Sequence, residues 1–440
     1  MSDTKTAAGP PTGRARNWII RGLLAVALVL IAASFFSPVW WVALKAPNYP
    51  AESFPDGVRI HFHFNGTFNG CSLHTKAEVY EKEALDCTHE MDAINHFVGM
   101  YPIASGGVVE RAFSPFLISF LLVLVVGFMI FNRKIRLAVM ALGFGAIAVW
   151  MAMTYYTAGG LAWQSPGYLS ALVTSLGEGH EEAGEELSPI IAQLQRSLEE
   201  SGQSSMSSEQ VRDRVSRAGE QGLADALSRL RTGSGQRTAE AKSLKEILAE
   251  AEASGAKGSA ASISILKEAY EADQARLPVA ERSEWKASGA QTLAWHYSKA
   301  LGRWFNNPDE IRPLVRNMTL FGTGLFWALI AGMLVMLFAA RRADQPLYWL
   351  LPAIPALLPV FFLIEYSGWL WWYGHSLNDM GAFTLKPFMP TVFGQGKVAQ
   401  FSTYSFPHYG FALMCAASVL IALAALLRRK SLRETRQAAA

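Results

Sequence analysis

The stretch PFLISFLLVLVVGFMIFNRKIRLAVMALGFGAIAVWMAMTY, residues 115–155, decides the fold class. Its apolar halves, Pro115–Phe131 and Leu137–Tyr155, are separated only by Asn132-Arg133-Lys134-Ile135-Arg136. A helix needs about 20 apolar residues to cross roughly 30 Å of hydrocarbon. Each half therefore reads as one membrane span, and the basic stretch as the tight loop between them. Working outward with the same criterion, Trp18–Phe36, Met318–Ala339, Leu347–Ile364 and Tyr409–Leu427 also qualify. The expectation is an all-α, polytopic membrane protein with six transmembrane helices and a large periplasmic helical insertion between spans three and four.

Composition agrees. Of the 440 residues 51% are hydrophobic and 17% charged, where a soluble protein carries about a quarter. The net charge of +3 gives no reason to expect nucleic acid as a partner; membrane lipid is the partner the spans demand. Of the 36 acidic residues, 22 fall between Thr157 and Arg312, while basic residues flank the apolar runs.

Lys and Arg collect in cytoplasmic loops. Arg14 and Arg16, the 132–136 loop, Arg341-Arg342 and Arg428-Arg429-Lys430 share one side only if the number of spans is even. Both termini are then cytoplasmic and the membrane is a bacterial inner membrane. The division is a cytoplasmic N-terminus 1–17, a span 18–36, a periplasmic loop 37–114, a span pair 115–155, a periplasmic insertion 156–317, a span pair 318–364, a periplasmic loop 365–408, a span 409–427 and a cytoplasmic tail 428–440. Arg14, Arg16 and Arg21 give the first span the look of a signal peptide. Its apolar core is longer than that, and Ser37-Pro38-Val39-Trp40-Trp41 offers no small-residue cleavage site, so it reads as uncleaved. Trp40, Trp41, Tyr155, Tyr156, Trp369, Trp371 and Trp372 fall at outer span ends, where an interfacial aromatic belt belongs. Pro352, Pro355 and Pro359 each remove a backbone donor and bend the fifth span, either as a tolerated kink or as a broken helix lining a site.

Within the insertion, residues Gly177 to Trp304 show apolar residues at helical spacing at Ile190, Ile191, Leu194 and Leu198 and again at Leu244, Ile247 and Leu248. Ser201–Ser208, Gly233-Ser234-Gly235 and Ser254–Ser262 interrupt it. It reads as several amphipathic helices, either a docking arm for a periplasmic protein or a mobile insertion. His180 and His296 read as solvated.

The loops hold the candidate chemistry. Val58-Arg59-Ile60-His61-Phe62-His63-Phe64 alternates like a strand and Asn65-Gly66 reads as its tight turn. Period two puts His61 and His63 on one face, as half of a metal site or as the polar face of an ordinary strand. Cys87-Thr88-His89-Glu90-Met91-Asp92-Ala93-Ile94-Asn95-His96-Phe97-Val98-Gly99-Met100 follows. On a helix His96 and Met100 share a face, with His89 close to it. Imidazole with soft sulfur suits copper, Cu(I) above all; the competing reading makes the methionines packing residues and His96 a hydrogen-bonding one. His375, after the fifth span, and His408, before the sixth, lie at similar depth and can join such a site. Cys71 and Cys87, in one loop of an oxidising compartment, read as a disulfide, which takes Cys87 out of the ligand set. Walker A, dinucleotide-glycine, haem-attachment and His-Glu-x-x-His motifs are absent from the sequence, and no residue reads as catalytic.

Ala46-Pro47-Asn48-Tyr49-Pro50, Ile94-Asn95-His96-Phe97-Val98-Gly99-Met100, Tyr373-Gly374-His375 and Tyr404-Ser405-Phe406-Pro407 occur in that order. The series resembles a family of multi-span bacterial membrane proteins encoded in nitrous oxide reductase gene clusters. The resemblance covers Trp40–Tyr156 and Met318–Leu427; the insertion, the His61/His63 pair and the two loop cysteines lie outside its pattern. It implies an accessory role in periplasmic nitrous oxide reduction, through copper handling or by anchoring the copper reductase or its maturation factors. The positions it carries over are Asn95, His96, Gly99, Met100, Gly374 and His375. Two other classes stay open. A transporter or permease needs an inverted repeat and polar groups at mid-membrane. A quinol-linked electron-transfer subunit needs haem ligands inside the spans, where no histidine falls.

Overall fold

The computed structural model describes residues 13–47, 49–51, 54–71, 86–185, 258–381, 385–398 and 401–439. The expected helical repeats at Ile190–Leu198 and Leu244–Leu248, their Ser- and Gly-rich interruptions up to residue 257, and the His180 side chain lie outside the described residues. The chain forms two compact units, Val173–Trp285 and the remainder. In the smaller, Ser259–Ala275 is helical and Ile265 packs on Val173, Leu176 and Ala269.

The larger unit is built on long apolar helices. They are α1 (Gly13–Phe35), α3 (Val108–Met129), α4 (Arg133–Tyr156), α8 (Pro308–Ala339) and α11 (Tyr409–Ala439). Each is long and apolar enough to cross a membrane. The other α-helices of the described residues are α2 (Cys87–Phe97), α5 (Pro166–Glu185), α6 (the Ser259–Ala275 helix of the smaller unit), α7 (Gly289–Leu301), α9 (Leu350–Ala356) and α10 (Leu358–His375). The pair α9 and α10 meets the same criterion as a unit but is bent by 62°. Among the described residues five helices thus qualify, or six with the pair taken as one, and the protein is a multi-pass membrane protein.

The bend has a local cause. Pro359 brings no amide hydrogen and its ring crowds the carbonyl four residues back, so the ladder cannot run through. Leu357 closes the first helix instead, donating to Ala353 O at 3.0 Å. Pro115 is handled differently. α3 begins seven residues before it, so part of the expected loop is helix, and the Ser114 hydroxyl donates to Arg111 O at 2.8 Å. That is the carbonyl Pro115 leaves without an amide.

Arginines gather at one end. Arg136, 2% exposed, donates to Ala340 O at 3.0 and 2.7 Å and to Ile130 O at 3.3 Å. Arg428, 3% exposed, donates to Phe128 O and Ile130 O. The last carbonyls of a helix have no intrahelical donor and carry partial negative charge, so each guanidinium caps chain ends it also neutralises. Arg16 pairs with Glu434 at 2.6 Å, which joins the start of α1 to the end of α11. Tyr348, just before α9, lies under both Arg136 and Arg428.

At the other end the antiparallel α1/α11 pair passes into an antiparallel strand pair. β1 (Trp40–Lys45) aligns with β5 (Phe401–Pro407), Trp40 opposite Pro407 and Lys45 opposite Ser402. β2 (Val58–His63), β3 (Gly66–Asn69) and β4 (Gly394–Val398) complete a five-stranded sheet of order β3-β2-β1-β5-β4. Mostly helical as the chain is, an all-α description leaves this sheet out. The expected Val58–Phe64 strand is present as Val58–His63, and its turn residues are Phe64 and Asn65, one position before the expected pair.

One face of the sheet lies on the helices. Trp40, expected in an interfacial belt, is 1% exposed; its indole donates to Ser405 Oγ at 2.8 Å and packs on Phe362 and Tyr366 of α10. Leu44, Val58 and Ile60 form a second cluster with Cys87, Met91 and Ile103. By the strand alternation, the opposite face carries Trp41, Arg59, His61 and Phe406. Arg59 stacks over Trp41 at 4.2 Å.

Candidate functional site

α2 starts because Asp86 caps it, its carboxylate accepting from Thr88 N and His89 N. Cys87, at its first position, is bonded to Cys71 just beyond β3, with Cα atoms 5.9 Å apart. Asn69 Oδ1 accepts from the amides of both cysteines. Tyr49 donates to Glu90 on α2 at 3.0 Å, and burial together with that carboxylate pushes the phenol's pKa up. The helix ends at Phe97. Gly99 has φ +79°, and a Cβ there would lie 2.6 Å from Asn378 O. Met100 is therefore off the helix, and the shared helical face proposed for His96 and Met100 does not exist.

The stretches around Ile94–Met100 and Tyr373–His375 do meet, through backbone and rings of adjoining residues. Asn378 N donates to Gly99 O at 2.8 Å, Tyr101 stacks on Trp372, and Tyr373 Oη donates to Pro102 O and Ile103 O, each at 3.0 Å. Gly374 is fixed by Phe388, whose carbonyl lies where a Cβ would stand. The imidazoles themselves are engaged elsewhere. His96 lies flat on Trp304, centroids 4.9 Å apart and planes within 11°. His375 stacks on Trp371, and its Nδ1 faces Trp371 O at 2.8 Å. No ring contact joins His96 to His375, and among the described residues no group of three His, Cys, Asp or Glu is placed to hold a metal ion. His89, on α2, joins no such group. None of these contacts brings two of His96, Met100 and His375 together.

What the structure brings together is His61 and His408, with ring centroids 5.0 Å apart. They come from β2 and from the junction of β5 with α11. His408 Nδ1 accepts from Tyr409 N at 2.9 Å, which leaves the ring proton on Nε2. His61 Nε2 is buried with no hydrogen-bond partner. His63 stands two residues on, against Phe68. Burial, then the charges of Arg59, His408 and His63, holds His61 at about 4, and burial, then His408, does the same for His63. Burial, then Arg59, also lowers His408. All three imidazoles stay neutral near pH 7, the form in which histidine binds a metal.

These shifts fix the sign of an acid dependence. The unfolded chain takes up protons on these histidines below about pH 6.5, the folded chain only near pH 4. Stability is then full above pH 6.5 and falls as the pH drops towards 4. Melting of the purified protein in detergent is expected at lower temperature at pH 4.5 than at pH 7, with a smaller difference in His61→Asn. A melting temperature flat across that range would mean that the rings are not buried in the folded chain.

His296, expected to be solvated, is 3% exposed on α7, its Nε2 at 3.2 Å from Leu172 O, and burial lowers it to about 3. α7 belongs with the spans, so the separate unit, 173–285, is shorter than the Gly177–Trp304 block read from composition. Sequence reasoning also passed over Asp92. It is 1% exposed, accepts from Ile103 N at 2.7 Å and pairs with Arg303 at 3.2 Å. Two charged side chains stand near the start of α3 as well. Arg111, in α3, donates to Ala104 O at 2.6 Å and to Gly107 O, and a Cβ on Gly107 would lie 3.6 Å from Glu365 Oε1. Glu110 Oε2 is buried without a partner.

The class these features define is a multi-pass membrane protein whose helices carry a disulfide-linked sheet and a histidine pair at one end. Comparison with protein-family models, curated proteins and solved structures finds no match.

Proposed function

We propose that this chain is a six-span accessory protein of a bacterial inner membrane, serving periplasmic nitrous oxide reduction. It handles copper for the copper reductase or anchors the factors that mature it. The bent pair counts as the fifth span, because Tyr348 before it lies at the arginine-rich end and Tyr373 near its close lies against Pro102 and Ile103. With six spans the basic clusters are cytoplasmic and the sheet is periplasmic.

The observation that carries the reading is that each of the four segments on which the resemblance rests contacts residues adjoining another of them. Tyr49 holds Glu90, Asn378 holds Gly99, Tyr373 holds Pro102 and Ile103, and Tyr404–Pro407 lies in β5 beside β1. Copper contact falls to His61 and, once its Nδ1 releases the Tyr409 amide, to His408, with His63 beside them. Two neutral imidazoles suit a transiently held Cu(I) better than a hard cation. A host strain lacking the chain is expected to accumulate nitrous oxide while making reductase that is poor in copper. A His61→Phe/His408→Phe chain restores less activity than wild type when copper is limiting. Unchanged reductase copper and nitrous oxide consumption in the deletion strain would overturn the proposal.

A further inference from the structure

At the end of α1 a cavity of about 320 Å³ is lined by Phe35, Phe36, Phe68 and Pro166 and by the polar side chains of His63, Asn65 and Ser165. Phe36, 76% exposed, stands at its rim. Asn65 is only 9% exposed and its Oδ1 has no hydrogen-bond partner; Ser165 Oγ, at the residue before α5, has none either. A buried amide oxygen left unpaired is costly, and the backbone does not relieve it. The Asn65 amide is pressed against Gly167, where a Cβ would collide with Nδ2. We propose that this cavity binds the hydroxyl-bearing ring of a membrane amphiphile, a quinol-type head group whose apolar tail lies along the first span.

Three observations select that chemistry. Asn65 Oδ1 only accepts, so the occupant must present an O–H or N–H, and Ser165 Oγ and His63 stand by to complete its bonding. The remaining walls are three phenyl rings and a proline, which suit a flat apolar ring over a chain of waters. Lys, Arg, Asp and Glu are absent from the lining, so neither the phosphate nor the ammonium of a phospholipid head group finds a counter-charge. The position at the close of an apolar span leaves the bilayer as the route of entry.

The test uses the purified full chain in detergent, titrated with a decyl-substituted hydroquinone and with its dimethyl ether, which keeps the ring and tail and loses both O–H groups. Melting temperature reports binding. The hydroquinone is expected to bind wild type about tenfold more tightly than the ether, the worth of one hydrogen bond to a buried acceptor. Asn65→Leu removes that difference, and Ser165→Ala reduces it without altering the ether. Should Asn65→Leu fail to fold, Ser165→Ala and the wild-type comparison decide. Equal binding of the two compounds by wild type overturns the proposal, as does a wild-type difference retained in Asn65→Leu. Displacement of the hydroquinone by short-chain phosphatidylethanolamine at equal concentration would assign the cavity to a lipid head group and overturn it as well.

Discussion

Excising Gly177–Trp304 behind a flexible linker is expected to abolish accumulation of the chain in the membrane, whereas excising Val173–Trp285 leaves it inserted and folded. The two deletions differ chiefly in α7 and the turn after it. Leu293, Tyr297 and Leu301 of that helix are 0–2% exposed, and burying each such side chain is worth about 1.5–3 kcal/mol. The longer deletion also removes Trp304 from His96 and Arg303 from Asp92. The shorter one cuts at the boundary between compact units, and Leu172 O, against His296, holds the upstream end near α7. Membrane-fraction immunoblots of the two variants with wild type check this. Equal accumulation of both would mean that α7 is dispensable.

Replacing Arg303 with Met is expected to lower stability by about 3–5 kcal/mol, because it strands a buried carboxylate. Asp92 keeps its bond from Ile103 N but loses the cation 3.2 Å away. Methionine keeps much of the side chain's volume, so the loss reports on charge more than on packing. Asp92→Asn combined with Arg303→Met removes both charges and is expected to melt above the single Arg303→Met variant. A single variant that melts with wild type would show that the pair is not buried.

How much of this was legible depends on whether the deciding contacts are local. Apolar runs are local, so residues 115–155 announced two helices and their basic loop, and the arginine clusters announced a common end. Of the sheet's five strands one was visible. β2 alternates openly, but β1 reads Trp-Trp-Val-Ala-Leu-Lys, which looks like a span flank, and its partner β5 lies some 360 residues away in sequence. Nothing within either segment states that pairing. The shared His96–Met100 helix face failed for a related reason. A spacing of four joins His96 to Met100 only if the helix continues, and Gly99, needed at φ +79° beside Asn378, ends it. Asp92 was passed over because its partner Arg303 sits in a block whose composition looked like an insertion. Asn65, read only as a turn residue, gave no sign that its side chain would be buried unpaired.

Copper handling at the His61–His408 end, as proposed, is tested by copper binding to the purified protein under reducing conditions that preserve the disulfide. Wild type is expected to retain Cu(I) against a competing chelator, His61→Phe or His408→Phe to lose it, and His96→Phe to retain it. Retention by the His61 and His408 variants together with loss in the His96 variant, or no retention by wild type, would contradict it.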